Sequence, residues 1–196
     1  MNVVRSPVAR VEVLTGTFHH FSCPSCSHDF HVETRFGYLD TERRHWVAVF
    51  PRHEQANAES CEQMAITGFW EASRQGPLWW LDQAMTSHLR VVFGVDRLVE
   101  KLLIWDEGLD DGVVEVLKRA LVEEGHKLPL RLDAIAEHVL GFTVGEATLP
   151  SVWVPRARYE RLASQRQLLS ERQPSLFRTY WVDARRPETA SVSDTG

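Results

Sequence analysis

The chain has 196 residues, 43% of them hydrophobic and 25% charged, and a net charge of −5. That length and balance suit one domain, or one domain with appendages, around a packed core. The acidic balance argues against a protein that coats nucleic acid, no apolar run nears the ~20 residues that span a bilayer, and Met1 to Arg10 lack the apolar block of a secretory signal. Three cysteines, with Cys61 isolated, fit reduced thiols better than a disulfide framework. Together these features point to the cytoplasm and away from membranes.

Nothing in Met1 to Arg10 predicts an element of its own. Val11 and Val13 flank Glu12, an alternation that predicts a strand, and Thr15-Gly16-Thr17 allows a bend after it. Phe18-His19-His20-Phe21 leads into Cys23-Pro24-Ser25-Cys26. Beyond it Phe30, Val32 and Thr34 alternate with His31 and Glu33. The pattern predicts a β-hairpin with the cysteines at its tip. Asp40 to Arg43 reads as a polar turn. Trp46 to Phe50 reads as a third strand, apolar on both faces and therefore internal, closed by Pro51. From His53 to Gln75 the period becomes helical: Ala58, Cys61, Ala65, Phe69 and Ala72 build one stripe, and Gly76-Pro77 ends it. Leu78 to about His88 predicts a helix or an irregular buried plug, and Arg90 to Gly94 a short strand or extended link.

Asp96 is placed to cap a helix with Leu98, Leu102 and Trp105 on its apolar face and Glu107-Gly108 as its stop. Asp110-Asp111 predicts the cap of a second helix. Val113, Val114, Val116, Leu117, Ala120 and Leu121 turn inward, Glu115, Lys118 and Arg119 outward, and Gly125 lies past its end. The two helices make an αα-hairpin. Leu130 to Val144 reads two ways: Leu132, Ile135, Ala136 and Val139 fit a helical spacing, whereas Val139 to Val144 reads as a strand, and two strands about a turn are the favoured reading. Ser151 to Pro155 predicts a short strand, Arg158 to about Leu169 a helix, and Thr179 to Asp183 a last strand. The predicted class is α+β: a zinc-ribbon-like antiparallel β-hairpin or sheet with a packed αα-hairpin and further helices. The expected organisation is a first domain over 1–128, a C-terminal α/β extension packed on it over 129–184, and a small, polar, disordered tail over 185–196.

The chemistry concentrates at the hairpin tip. Two thiols two residues apart, with Pro24 fixing the backbone between them, can reach one metal ion from a single turn. A structural zinc site needs four ligands, so the sequence shows half of one. His19, His20, His28 and His31 share the hairpin, and any of them could complete the set. His28 is closest to the cysteines in sequence, so the metal candidates are Cys23, Cys26 and His28. The plainer alternatives are a reduced knuckle without metal and solvated strand histidines. A redox role is also open, but a thioredoxin-like C-x-x-C follows a strand and opens a helix, whereas a polar strand follows here.

Elsewhere Cys61 reads as a core thiol. His53 near Glu54 and Glu59 reads as charge at a helix start rather than a second metal site. Asp110-Asp111 reads as capping rather than a catalytic carboxylate pair. Trp79-Trp80, between Leu78 and Leu81, reads as core rather than a stacking platform. The sequence contains no phosphate loop, G-x-S-x-G or H-E-x-x-H motif.

A wider pattern joins these segments. It comprises Leu14-Thr15-Gly16-Thr17, Cys23-Pro24-Ser25-Cys26, Tyr38-Leu39-Asp40 and Trp46 to Pro51. Further along come Arg90 to Gly94, Leu98-Val99-Glu100-Lys101 and Gly108-Leu109-Asp110-Asp111, with Glu115 and Lys118 beyond. On these residues the chain resembles the CpXC-domain family, bacterial and archaeal proteins named for two Cys-Pro-X-Cys motifs. The resemblance covers about Val3 to Lys118 and implies a zinc-binding domain of uncharacterised function. The chain departs from the pattern twice. It carries one such motif, equivalent to the family's second, and Ser27 stands where the family commonly has glycine. Either the protein starts further upstream or this member has lost half the site; the entry into the pattern in mid-domain favours a missing N-terminal segment.

The expected function is therefore a cytoplasmic, non-enzymatic binding or adaptor domain organised by structural zinc, which leaves no coordination position open for chemistry. Its partner, a protein or small molecule, is not specified. The alternative is a thiol-redox or metal-dependent enzyme that uses Cys23 and Cys26.

Overall fold

Where the alternation of Val11 and Val13 predicts a strand, the computed structural model has a helix, α1 (Pro7–Leu14). The reason is local. Pro7 sits in the first turn, where its missing N–H costs nothing, and Ala9 and Val13, one turn apart, are the residues that bury. The structure describes residues 1–145 and 147–186, without the side chains of Leu78, Trp79, Leu81 and Gln83. Most of the expected tail over 185–196, and the side chain of Trp79, thus lie outside the described residues. Cα packing divides the chain into two units, Met1–Val99 and Glu100–Gly196.

In the first unit, β1 (His20–Ser22) and β2 (Asp29–His31) pair antiparallel on either side of the cysteines, as the sequence predicts. A second sheet holds β3 (Phe36–Asp40), β4 (His45–Phe50) and β5 (His88–Phe93), in the order β3-β4-β5. β4 is central, which explains its apolar residues on both faces: Val47, Ala48, Val49 and Phe50 are all buried. β3 runs antiparallel to β4, and β5 runs parallel to it. Parallel pairing requires a long crossover. It is supplied by a 3-10 turn (Arg52–Asn57), α2 (Ala58–Gln75) and α3 (Leu78–Met85). α2 buries Ala58, Cys61, Ala65 and Phe69 as its stripe predicts, but Ser73 rather than Ala72 completes the face, its hydroxyl donating to the Phe69 carbonyl at 2.7 Å. Phe69 packs its ring, tilted by 60°, against Trp46 with centroids 4.9 Å apart. A buried aromatic of this kind contributes about 1.5–3 kcal/mol of hydrophobic stabilisation.

α4 (Val95–Asp106) contains the division between the units. The helix begins at Val95, one residue before Asp96, so Asp96 lies inside the first turn rather than at the position preceding it, and its carboxylate takes the Arg52 guanidinium at 2.9 Å. In the second unit α5 (Asp111–Glu123) is capped as expected by Asp110, whose side chain accepts from the Val113 amide at 3.1 Å. Asp111 is the first residue of the helix, and its carboxylate lies 3.3 Å from Lys101 Nζ. β6 (Leu130–Ile135), β7 (Val139–Val144) and β8 (Val152–Pro155) form an antiparallel sheet in that order. Its Leu132, Leu140 and Phe142 meet Val113, Val114, Leu117 and Leu121 of α5 in one core cluster.

The predicted helix from Arg158 is two, α6 (Arg156–Ala163) and α7 (Arg166–Arg172), followed by α8 (Pro174–Phe177). The strand expected over 179–183 is absent. That segment is held by side chains instead of a ladder partner: Thr179 Oγ1 donates to the Ser175 carbonyl at 2.6 Å, and the Arg186 guanidinium lies 5.4 Å from the Trp181 ring centroid. The fold is thus mixed α+β with small separate sheets. Among the described residues no helix is long and apolar enough to cross a membrane.

Candidate metal knuckle and buried ion network

Cys23 and Cys26 lie in the turn that joins β1 to β2. The turn closes through two backbone bonds: the Cys23 amide donates to the His28 carbonyl and the Ser27 amide to the Cys23 carbonyl, each at 2.8 Å. Ser27 takes a left-handed backbone, φ +55°, to complete it. This is the position at which the family pattern carries glycine, the residue for which that conformation is unstrained. Cys23 is half-buried and Cys26 exposed. Hydrogen bonds from the Ser25 backbone, then the Cys26 backbone and the Cys26 side chain, hold the Cys23 thiol below the usual thiol range. The turn therefore favours a thiolate, the form that binds metal or attacks a disulfide.

The hairpin's histidines divide by the pleat. In an antiparallel pair opposed residues share a face. Phe21 and Phe30 share one, with ring centroids 6.0 Å apart. His20 and His31 share the other, together with Ser22 and Asp29, which hydrogen-bond to each other. His19, just before β1, takes φ +59°, accepts from the Val32 amide across the hairpin and stacks on Phe18 at 3.9 Å. Among the described residues no three or more His, Cys, Asp or Glu side chains gather as a metal site. Cys23, Cys26 and His28 therefore form no such group, and the contact His28 makes with the knuckle is through its carbonyl. The donor chemistry fits one half of a tetrahedral zinc site, a thiolate pair, and the described residues do not gather the other half.

The remaining candidates resolve into structural roles. Cys61 is buried on α2, and burial, then the nearby Glu54, push its thiol up. Glu54 is held by Arg35, with Nε at 2.8 Å from Oε1 and Nη2 at 2.7 Å from Oε2. Asp110 caps α5 and takes the Arg166 guanidinium at 2.5 Å.

A second constellation lies in the core of the second unit. Glu115 and Lys118, expected to face solvent, are buried at 3% and 1% exposure. Lys118 Nζ lies 2.6 Å from Glu100 Oε1 and 2.9 Å from Glu115 Oε1. Lys101 Nζ lies 3.2 Å from the same Glu115 oxygen and 3.3 Å from Asp111 Oδ2. Two backbone amides join: Leu132 donates to Glu100 Oε1 at 2.5 Å and Ala184 to Glu115 Oε2 at 2.9 Å. Two ammonium groups thus meet three carboxylates in the core, a geometry that satisfies buried charge. The available signal was the spacing Asp111, Glu115, Lys118, a polar stripe on a helix whose other positions are almost all apolar.

Residues 1–118 match the family described as CpXC protein. That span is more than half of the chain and holds the knuckle and the charged side chains of the ion network. The chain belongs to the CpXC protein family. Comparison with curated proteins and with solved structures gave no match.

Proposed function

We propose that this CpXC protein is a non-enzymatic, cytoplasmic binding or adaptor domain whose Cys23–Cys26 knuckle is one half of a structural zinc site in a zinc-ribbon-like hairpin. The observation that carries the reading is the mismatch between the hairpin's geometry and its burial. All the residues of β1 and β2 are exposed, and a two-stranded ribbon is marginally stable in water without further support. A metal held at the tip would supply that support, because ligand binding in such sites is coupled to folding. Cys23 and Cys26 would hold the ion, with His28 the candidate third ligand and the rest of the set from outside the hairpin. A closed set leaves no position for substrate. Phe21 and Phe30, 51% and 44% exposed, then offer a small apolar face to a partner. Metal analysis of purified reduced protein, with thiol titration, tests this: bound zinc should protect Cys23 and Cys26 from alkylation, and chelation should expose both.

One observation favours a second reading. A Cys23 thiol held below its usual range beside an exposed Cys26 suits thiol-disulfide exchange. A strand rather than a helix follows the motif, which argues the other way. Redox function requires a reversible Cys23–Cys26 disulfide in metal-free protein.

A further inference from the structure

The two exposed imidazoles on the other face of the hairpin have a geometry of their own. His20 and His31 are Cα partners across β1 and β2. Backbone bonds fall on the pair just before it, where Val32 N donates to His19 O at 3.0 Å, and on the pair three positions further along, where Cys23 N donates to His28 O at 2.8 Å. Bonded and non-bonded pairs alternate along an antiparallel ladder, so His20 and His31 form a non-bonded pair, the type whose side chains approach most closely. Their ring centroids are 5.1 Å apart and the rings are tilted by 47°.

We propose that His20 and His31 form a cross-strand two-imidazole chelate for a divalent transition-metal ion, separate from the cysteine knuckle. The distances suit one shared ion. With metal–nitrogen bonds of ~2.0–2.1 Å and each ring centre ~1.15 Å behind its nitrogen, centroids 5.1 Å apart subtend about 105° at the ion, close to a tetrahedral angle. Both rings are exposed, so water completes the coordination. Imidazole pairs select copper, nickel and zinc over magnesium and calcium, with copper bound most tightly.

The test uses tag-free, full-length protein carrying Cys23→Ser and Cys26→Ser, so that the knuckle contributes nothing. Calorimetric titration with Ni2+ should show one ion per chain. His20→Ala and His31→Ala should each weaken binding by tenfold or more, and the double variant little further, because a chelate fails when either arm is lost. His138→Ala, at an exposed histidine remote in sequence from the hairpin, should leave the affinity unchanged. In the parent, paramagnetic broadening by Ni2+ should reach the ring signals of His20 and His31 first, a readout that needs no histidine variant. Absence of binding in the parent, binding indifferent to both histidines, or broadening centred on other histidines would overturn the proposal. The cysteine site is judged separately, in protein that retains its thiols.

Discussion

Lys118 Nζ lies 2.6 Å from Glu100 Oε1, and both side chains are 1% exposed. The same ammonium also meets Glu115 at 2.9 Å. Removing one partner of a buried pair strands the other charge away from water. Lys118→Met should therefore destabilise the protein by about 3–5 kcal/mol, measured by denaturant unfolding. Joining it with Glu100→Leu should recover part of the loss, because the second change removes a stranded carboxylate. Additive losses in the double variant would show that the contact carries no coupling.

Gly94 has φ +95°, and a Cβ placed on it would stand 2.5 Å from Asp96 Oδ1 and 2.8 Å from Arg52 Nε. Gly94→Ala imposes a left-handed alanine and disturbs the Arg52–Asp96 pair. The expected cost is about 1–3 kcal/mol, read as a fall in the unfolding midpoint.

Ser27 runs the other way. Its φ of +55° is one that glycine adopts without strain. Ser27→Gly should stabilise the knuckle by about 1 kcal/mol, visible as slower hydrogen exchange at the Cys23 and Ser27 amides.

The thiols should separate by pH. The hydrogen-bonded Cys23 titrates below the usual thiol range and Cys61 above it. As pH rises, Cys23 should be alkylated before Cys61, followed by peptide mapping of metal-free protein. The sign for stability follows from the depressed folded-state value: the thiolate's contribution is present above the unfolded-state pKa and is lost as pH falls through the folded one.

The elements legible in the sequence were those whose cause is local. The turn chemistry of Cys23 to Cys26, the apolar run of β4, the stripe of α2 and the Asp110 cap each announce themselves within a few residues. Elements decided at a distance were hidden. β3 contains Gly37 and Asp40, and only its pairing with β4 makes it a strand. β5 gives no sign that it runs parallel. α1 shows how one valine–glutamate–valine alternation can be overruled by a proline in the first turn. At the sites, the thiol pair was plain from spacing. The ion network was not, because Glu115 and Lys118 look like a solvated face until Glu100 and Lys101 are seen opposite them.

Cobalt binding tests the central claim most directly. Co2+ added to the reduced full-length chain should give a thiolate-to-metal charge-transfer band, which imidazole ligands alone do not produce. The band should vanish in Cys23→Ser and in Cys26→Ser and persist in Cys61→Ser. No band in folded protein, or a band indifferent to Cys23 and Cys26, would contradict a metal-holding knuckle.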